Sequence, residues 1–164
     1  MDRFVSNFTY RLDAKGRVTI PSTFRSVLNR DGFEGLYVHP SLASPALDCG
    51  GNALLREIDD VLARLSPYSE ERDTLSTALL GTSEILKVDP EGRVVLTETI
   101  KAYANIEGEA TFVGQGHKFQ IWEPVRFRAH LEEAKNRARD FRKELSSRYA
   151  MTEAPPSRPH GARE

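Results

Sequence analysis

The chain has 164 residues, 39% of them hydrophobic, and a net charge of −1 at pH 7. This length supports one or two small domains that bury a real core. No run of about 18 apolar residues occurs, so we expect neither a membrane-spanning helix nor a membrane partner. The first residues lack the apolar core of a secretory signal. Cys49 is the single cysteine, so an internal disulfide is excluded and a reducing, cytoplasmic compartment is expected.

The strongest pattern is a phrase that occurs twice. Residues 12–21 return as residues 88–97 at a constant offset of 76. The matched positions are Asp13 with Asp89, Gly16 with Gly92, and Arg17 with Arg93. Such a repeat indicates that one supersecondary unit is used twice. We therefore expect residues 4–81 and 82–148 to be two equivalent repeats, each with its helices.

The first copy predicts two strands joined by a tight turn. Phe8, Tyr10 and Leu12 alternate with polar residues, which is the period of a strand. Asp13 can accept hydrogen bonds from the backbone ahead of it, and Gly16 can take a positive φ. Both are therefore interpreted as turn-shaping residues. The alternation resumes after the turn and ends at a proline.

Two helices are predicted between the copies of the phrase. Apolar residues at helical spacing indicate a helix over 52–65, with Asn52 as its N-cap. A second helix is predicted over 70–80. It has acidic residues in its first turn and Gly81 just past its end.

The second copy repeats the order of elements. Asp89 and Gly92 are its turn-shaping residues, and Pro90 suits the second turn position because its φ is already set. An apolar stretch, a turn, another strand and a helix follow in both copies. Order along the unit places Cys49 of the first copy at the position of Trp122.

The repeated unit of four short strands and a helix is too small and too open-edged to hold a core. Two copies can close on each other as one pseudo-symmetric barrel, which removes the free edges. The expected fold class is therefore α+β, with the two units closed into a barrel and flanked by helices.

The last predicted helix begins near Pro124 and runs to Arg148. Its apolar seam, with steps of four and three, consists of Phe127, Leu131, Ala134, Ala138, Phe141 and Leu145. A heptad seam on a helix longer than a small barrel needs favours partial packing against a neighbouring subunit. Packing on its own barrel is the alternative. Residues 149–164 are polar and rich in proline and glycine, which predicts a disordered tail.

Charge is distributed unevenly along the chain. Residues 1–30 carry a net +4 and residues 126–148 a net +4, whereas residues 31–81 carry −6 and residues 82–125 carry −3. A basic face set against acidic helices can bind phosphate although the whole chain is nearly neutral. Ordinary surface charge is the alternative interpretation.

The doubled motif resembles that of the MraZ family. The motif is Leu12-Asp13-x-x-Gly16-Arg17 with its second copy Asp89-x-x-Gly92-Arg93, and residues 79–81, 113–115 and 119–122 add to the likeness. The similarity covers roughly residues 4–145 and implies two swapped-hairpin units of the SpoVT-AbrB type. It also implies a nucleoid-associated bacterial DNA-binding regulator, a repressor of the division and cell wall gene cluster including its own operon. The resemblance further implies a homo-oligomeric ring that meets repeated short boxes in double-stranded promoter DNA.

A DNA-facing surface needs cations held at fixed spacing, mostly for phosphates. Arg17 is the first candidate, because strand pairing after the glycine turn fixes the base of its side chain. The other candidate DNA-binding residues are Arg11, Lys15, Arg25, Lys87 and Arg93. A buried salt bridge from each motif arginine to the aspartate of its turn is the alternative role for Arg17 and Arg93.

The two copies differ in charge. Both copies have a positively charged residue at three matched positions, which are Arg11 with Lys87, Arg17 with Arg93, and Arg25 with Lys101. Lys15, however, is replaced by Glu91. The first copy is therefore predicted to dominate DNA contact.

Other function classes find less support in the sequence. It has no Gly-x-Ser-x-Gly elbow, no Walker loop and no His/Cys cluster with metal spacing, so neither an enzyme nor a cofactor is expected. The alternative is an antitoxin-like module that uses the same fold to bind a protein partner. Such antitoxins usually carry one hairpin unit and an extended tail, whereas here the unit is doubled.

Overall fold

The computed structural model describes residues 2–152, with side chains up to Tyr149. Among these residues, those up to Phe127 form one compact unit, and those from Arg128 to Thr152 belong to a second. The fold is mixed α+β, with antiparallel strand pairs throughout. No helix in the described part of the chain is long and apolar enough to cross a membrane.

The elements follow the repeat. In the first half they are β1 (Asn7–Arg11), β2 (Arg17–Thr19), α1 (Ser22–Asp31), β3 (Leu36–Pro40), β4 (Leu47–Gly50), α2 (Asn52–Ala63) and α3 (Glu70–Ser76). A π-helical turn at Thr77–Gly81 leads into the second half. That half consists of β5 (Glu84–Leu86), β6 (Arg93–Val95), α4 (Glu98–Ala104), β7 (Glu109–Gly114), β8 (Phe119–Trp122) and α5 (Pro124–Thr152).

Strands of both halves share each sheet. The larger sheet has the order β1-β7-β8-β4-β3-β5, and the smaller one pairs β2 with β6. The first strand of each half therefore pairs with a strand of the other half, β1 with β7 and β5 with β3. The strands of the two halves are therefore interleaved. The closed barrel stays a prediction, because β1 and β5 lie at the two ends of the strand order.

The core lies between the two sheets and helices α1 and α4. The inward side chains of the smaller sheet, Val18 and Val94, are each 1% exposed. They pack with an aromatic group from both halves, which includes Phe24 of α1 and Phe112 and Phe119 of the larger sheet. A second apolar cluster joins Tyr37 of β3 to α2.

Helix α2 ends earlier than predicted and has a different cap. It runs over Asn52–Ala63 instead of 52–65, because the amides of Arg64 and Leu65 bond to carbonyls three residues back and tighten the last turn. Asn52 is the first helical residue and not the N-cap. The carboxylate of Asp31, at the end of α1, accepts from the amides of Asn52 at 2.6 Å and Ala53 at 3.1 Å.

The other helices also differ at their ends. Regular α3 stops at Ser76, and Gly81 lies within the π-helical turn that follows, not beyond a helix reaching residue 80. Helix α5 begins at Pro124 as predicted and continues to Thr152, past the expected end at Arg148. It therefore includes residues 149–152 of the predicted tail, and the remaining residues, 153–164, lie outside the described residues.

The strand register corrects the placement of Cys49. Val38 pairs with Cys49, and the equivalent pair in the second half is Gly114 with Phe119. Cys49 therefore corresponds to Phe119 and not to Trp122, and Cys49 and Phe119 are cross-strand partners. The match predicted from order along the unit was wrong because the connection from β3 to β4 is longer than that from β7 to β8.

Candidate nucleic-acid interface

The first turn, residues 13–16, is organised by one carboxylate. Asp13 Oδ1 accepts from the amides of Lys15 and Arg17, both at 2.9 Å. Its Oδ2 accepts from Arg17 Nε at 2.6 Å. Gly16 has φ 79°, in the region that glycine adopts without strain. The carboxylate thus fixes both the turn and the direction in which Arg17 leaves it.

The second turn, residues 89–92, repeats this geometry. Asp89 Oδ1 accepts from the amides of Glu91 at 2.9 Å and Arg93 at 2.8 Å, and Oδ2 accepts from Arg93 Nε at 2.8 Å. Gly92 has φ 80°. One contact is new: Arg93 Nη2 donates to Glu91 Oε1 at 2.7 Å. The Arg93 guanidinium is therefore shared between two carboxylates.

These contacts change the titration of the groups. The amide of Arg17 is the main cause that lowers the pKa of Asp13, and the amide of Arg93 does the same for Asp89. The hydrogen bond that Arg93 donates to Asp89 raises the pKa of Arg93, with a smaller contribution from the charge of Asp13 of the other turn.

The two turns are joined by a two-stranded ribbon, which we define as β2 and β6 with the turns at 13–16 and 89–92. Ile20 N donates to Gly92 O at 2.9 Å, and Leu96 N donates to Gly16 O at 3.0 Å. Each strand therefore ends against the glycine of the other turn.

The ribbon presents both motif arginines on one face. Val18 pairs with Val94 at its centre, and both side chains are buried. Because side chains alternate along a strand, Arg17, Thr19, Arg93 and Val95 lie on the outer face. The side chains of Arg17 and Arg93 are 33% and 29% exposed. The ion pairs to the turn aspartates therefore form, but on the surface and not as buried salt bridges.

The remaining predicted residues lie around this ribbon. Lys15 is exposed on the first turn, and Lys87 is exposed just after β5. Arg11, at the end of β1, is exposed and pairs across strands with Glu109. Arg25, on α1, lies beside the second turn, where its Nη1 donates to Glu91 O at 3.3 Å. Arg25 thus meets the turn of the other copy.

Lys101 is the residue that the site prediction left out. It lies on α4, and its Nζ is 3.8 Å from where a Cβ on Gly16 of the first turn would stand. The signal that identifies it is its match to Arg25 across the repeat. In the described part of the chain, no three His, Cys, Asp or Glu side chains come together in a way that could hold a metal ion.

Comparison with known proteins connects this geometry to a family. The family model described as "MraZ protein, putative antitoxin-like" matches residues 78–148, which include the second turn. The chain is 75% identical to a Transcriptional regulator MraZ of Beijerinckia indica and 72% identical to one of Methylocella silvestris, over the full length of both chains in each case. A Transcriptional regulator MraZ of Parvibaculum lavamentivorans is 42% identical over 92% of this chain and 94% of its own. The doubled turn motif and this similarity over the whole length show that the chain belongs to the MraZ family.

Proposed function

We propose that this protein is a sequence-specific, DNA-binding transcriptional regulator that presents the outer face of the ribbon to double-stranded DNA. The observation that carries the proposal is the placement of Arg17 and Arg93 on one exposed face of a two-stranded antiparallel ribbon. The major groove admits a ribbon of this kind, and an arginine guanidinium can form two hydrogen bonds with guanine there. The names of the relatives, which are transcriptional regulators, support the same assignment.

The two turns contribute unequally in this proposal. The first turn carries Lys15 where the second carries Glu91, and Glu91 binds the Arg93 guanidinium directly. A carboxylate at that position repels phosphate, and its ion pair with Arg93 leaves the guanidinium less available to DNA. Arg17 is therefore the main contact and Arg93 the weaker one. Supporting contacts come from Arg11, Lys15 and Lys87 around the ribbon, and Arg25 contributes beside the second turn.

The proposal is tested by fluorescence anisotropy with DNA from upstream of the protein's own gene. Arg17→Ala is expected to abolish measurable binding, and Arg93→Ala to weaken it less. Arg64→Ala, at an exposed position just after α2, is the control for losing a positive charge, and it should bind like the unaltered chain. Loss of phosphate contacts lowers the slope of log Kd against log salt by about one for each contact. Equal losses for Arg17→Ala and Arg93→Ala would reject the inequality of the turns, and no binding by the unaltered chain would reject the function.

We further propose that the regulated genes are the division and cell wall cluster, including the protein's own operon, with repression as the outcome and the nucleoid as its place of action. The family resemblance supports this assignment. A reporter gene placed behind the promoter of that cluster should fall in expression when the protein is produced. Unchanged or higher expression contradicts repression, and Arg17→Ala is the matched control.

We also propose that several copies of the chain assemble into a homo-oligomeric ring. One chain offers one strongly basic turn, so monomer affinity for DNA is expected to be modest, and several ribbons on repeated boxes would raise it. Exposed apolar residues on α5, Phe141 at 53% and Leu145 at 48% exposure, support contact with another subunit. The exchange of strands between the halves supports the swapped-hairpin assignment and the closed barrel.

The second candidate is an antitoxin-like, protein-binding module. The description of the matching family model favours it, since it includes the word antitoxin-like. The two candidates differ in their response to salt and in their partner. A salt-sensitive shift of the promoter fragment supports the regulator. A stable protein partner that co-purifies with both the unaltered chain and Arg17→Ala supports the antitoxin-like module.

A further inference from the structure

Arg25 belongs to the first copy but lies against the second turn. Its Nη1 donates to Glu91 O at 3.3 Å, and a Cβ on Gly92 would overlap its guanidinium and its Cδ. Its Nε is buried and has no hydrogen-bond partner within the described residues. The side chain therefore packs along the backbone of the second turn, and the absence of a side chain at Gly92 makes room for it.

Lys101 makes the reciprocal approach from the second copy. Its Nζ would be 3.8 Å from a Cβ on Gly16, and the side chain is only 18% exposed. It also pairs with Glu98 of its own helix at 3.0 Å. Arg25 and Lys101 are equivalent positions of the repeat, so each helix places one cation beside the turn of the opposite copy. The contact is tighter at the second turn than at the first.

The backbone explains why the contacts cross between copies. Strand β2 pairs with β6, and Ile20 N donates to Gly92 O, so the chain entering α1 is already fixed to the second turn. The same holds in reverse for Leu96 N, Gly16 O and the chain entering α4. A side chain one turn into each helix can then reach the opposite glycine.

We propose that Arg25 and Lys101 are positioning residues that act crosswise. Arg25 holds the turn that presents Arg93, and Lys101 holds the turn that presents Arg17. The proposal rests on the DNA-binding function proposed above and refines the part that Arg25 has in it. Arg25 contributes to DNA binding through the second turn and not by its own contact with phosphate.

Double-mutant cycles on DNA affinity test the crosswise pairing. The cycles combine Arg25→Met or Lys101→Met with Arg17→Lys or Arg93→Lys, since lysine keeps binding measurable. Arg25→Met is expected to be additive with Arg17→Lys within about twofold, as for independent sites, and to deviate by at least about threefold with Arg93→Lys. Lys101→Met should show the opposite pattern. Additive behaviour in all four cycles, or coupling within each copy, overturns the proposal.

The salt dependence separates positioning from direct contact. If Arg25 only holds the turn, Arg25→Met leaves the slope of log Kd against log salt unchanged. If Arg25 binds a phosphate, the slope falls by about one, and the proposal is wrong. Arg25→Gln replaces Arg25→Met should the methionine variant fail to fold.

Hydrogen exchange of the free protein gives a readout that does not depend on DNA. Arg25→Met should speed exchange at the Gly92 and Arg93 amides and leave the Gly16 and Arg17 amides unchanged. Lys101→Met should do the reverse. The unaltered chain could bind no DNA while each substitution still speeds exchange in the turn of the opposite copy. That result would reject the DNA-binding function and support the crosswise contact. Exchange that changes in the turn of the same copy, or in neither turn, overturns the contact itself.

Discussion

The aspartate of each turn organises the backbone of that turn, and the spacing of the motif is sufficient to explain this role. Asp13 and Asp89 each accept two backbone amides and one arginine Nε, with nearly the same distances in both copies. The sequence predicted these residues as turn-shaping, and their contacts agree with that role. What distinguishes the copies is the residue two positions later, where Lys15 faces solvent and Glu91 binds Arg93.

The lowered pKa values of Asp13 and Asp89 predict a loss of stability in acid. Folding favours the ionised carboxylates, so their contribution is fully present above the ordinary Asp pKa of about 3.9. It is lost as the pH falls from there through the lowered folded values. The double variant Asp13→Asn with Asp89→Asn should therefore lose less unfolding free energy between about pH 5 and pH 2 than the unaltered chain.

Urea unfolding across that pH range measures this effect. Asp60→Asn, on the exposed side of α2, controls for the loss of a carboxylate that does not organise a turn. A double variant with the same pH dependence as the unaltered chain would contradict the prediction.

The two turn glycines should differ in their tolerance of alanine. Both have φ near +80°, where a side chain costs about 1–2 kcal/mol. A Cβ at Gly16 meets no atom closer than 3.6 Å, whereas at Gly92 it would displace Arg25. Gly92→Ala should therefore lower the free energy of unfolding more than Gly16→Ala. The excess should disappear when both substitutions are compared in an Arg25→Ala background, and equal costs in the unaltered background would disprove the role of Arg25.

At the scale of elements, helix ends depend on residues that are distant in sequence. Asn52 looks like a cap in the sequence, yet the acceptor for the first α2 amides comes from Asp31, at the end of α1. A cap supplied from another helix leaves no local pattern. The periodicity of apolar residues nevertheless predicted that α2 exists, because burial of its apolar face does not depend on the cap.

Removing the Asp31 cap should destabilise the protein measurably. Asp31→Ala leaves the amides of Asn52 and Ala53 without their acceptor, and loss of such a cap costs about 0.5–2 kcal/mol. Chemical denaturation measures the change, with Asp60→Ala as the control within α2. Asp31→Asn keeps an acceptor and is expected to cost less. A neutral Asp31→Ala would show that the carboxylate is not needed at this helix end.

Helix α5 is expected to connect assembly to DNA binding. Phe127 is buried against Trp122 with ring centroids 6.1 Å apart, whereas Phe141 is 53% exposed. Phe141→Ser should therefore reduce the molar mass measured by light scattering and weaken DNA binding together, and Leu131→Ser should do the same. Ala129→Ser, an exposed position of the same helix outside the seam, is the control. A proven monomer that binds DNA with unchanged strength would break the link between assembly and affinity.

At the scale of the whole molecule, the exchange of strands makes the two halves interdependent. Strand β1 pairs only with β7 in the sheet order, and β5 only with β3. Either half alone lacks the partner of its first strand and of its ribbon strand. The core residues Phe24, Phe112 and Phe119 are likewise contributed by both halves.

Separated halves should therefore not fold as monomers. Fragments 1–81 and 82–152 are each expected to be unfolded or self-associated, and mixing them should restore near-native circular dichroism and a single cooperative melting transition. Circular dichroism with light scattering checks both points. A half that is monomeric and cooperatively folded would contradict the interdependence of the halves.

Sequence patterns are sufficient to predict the repeat, the two turns, the type of most elements and the aspartate and glycine of each turn. These follow from local chemistry: a glycine at positive φ, an aspartate that accepts amides ahead of it, and the periods of strand and helix. The structure alone decided which strands pair, that Cys49 corresponds to Phe119, that Asp31 caps α2, and that Arg25 and Lys101 reach the opposite turns. Each of these contacts joins residues far apart in the chain, and local periodicity carries no information about which of several equivalent partners a strand or side chain will meet.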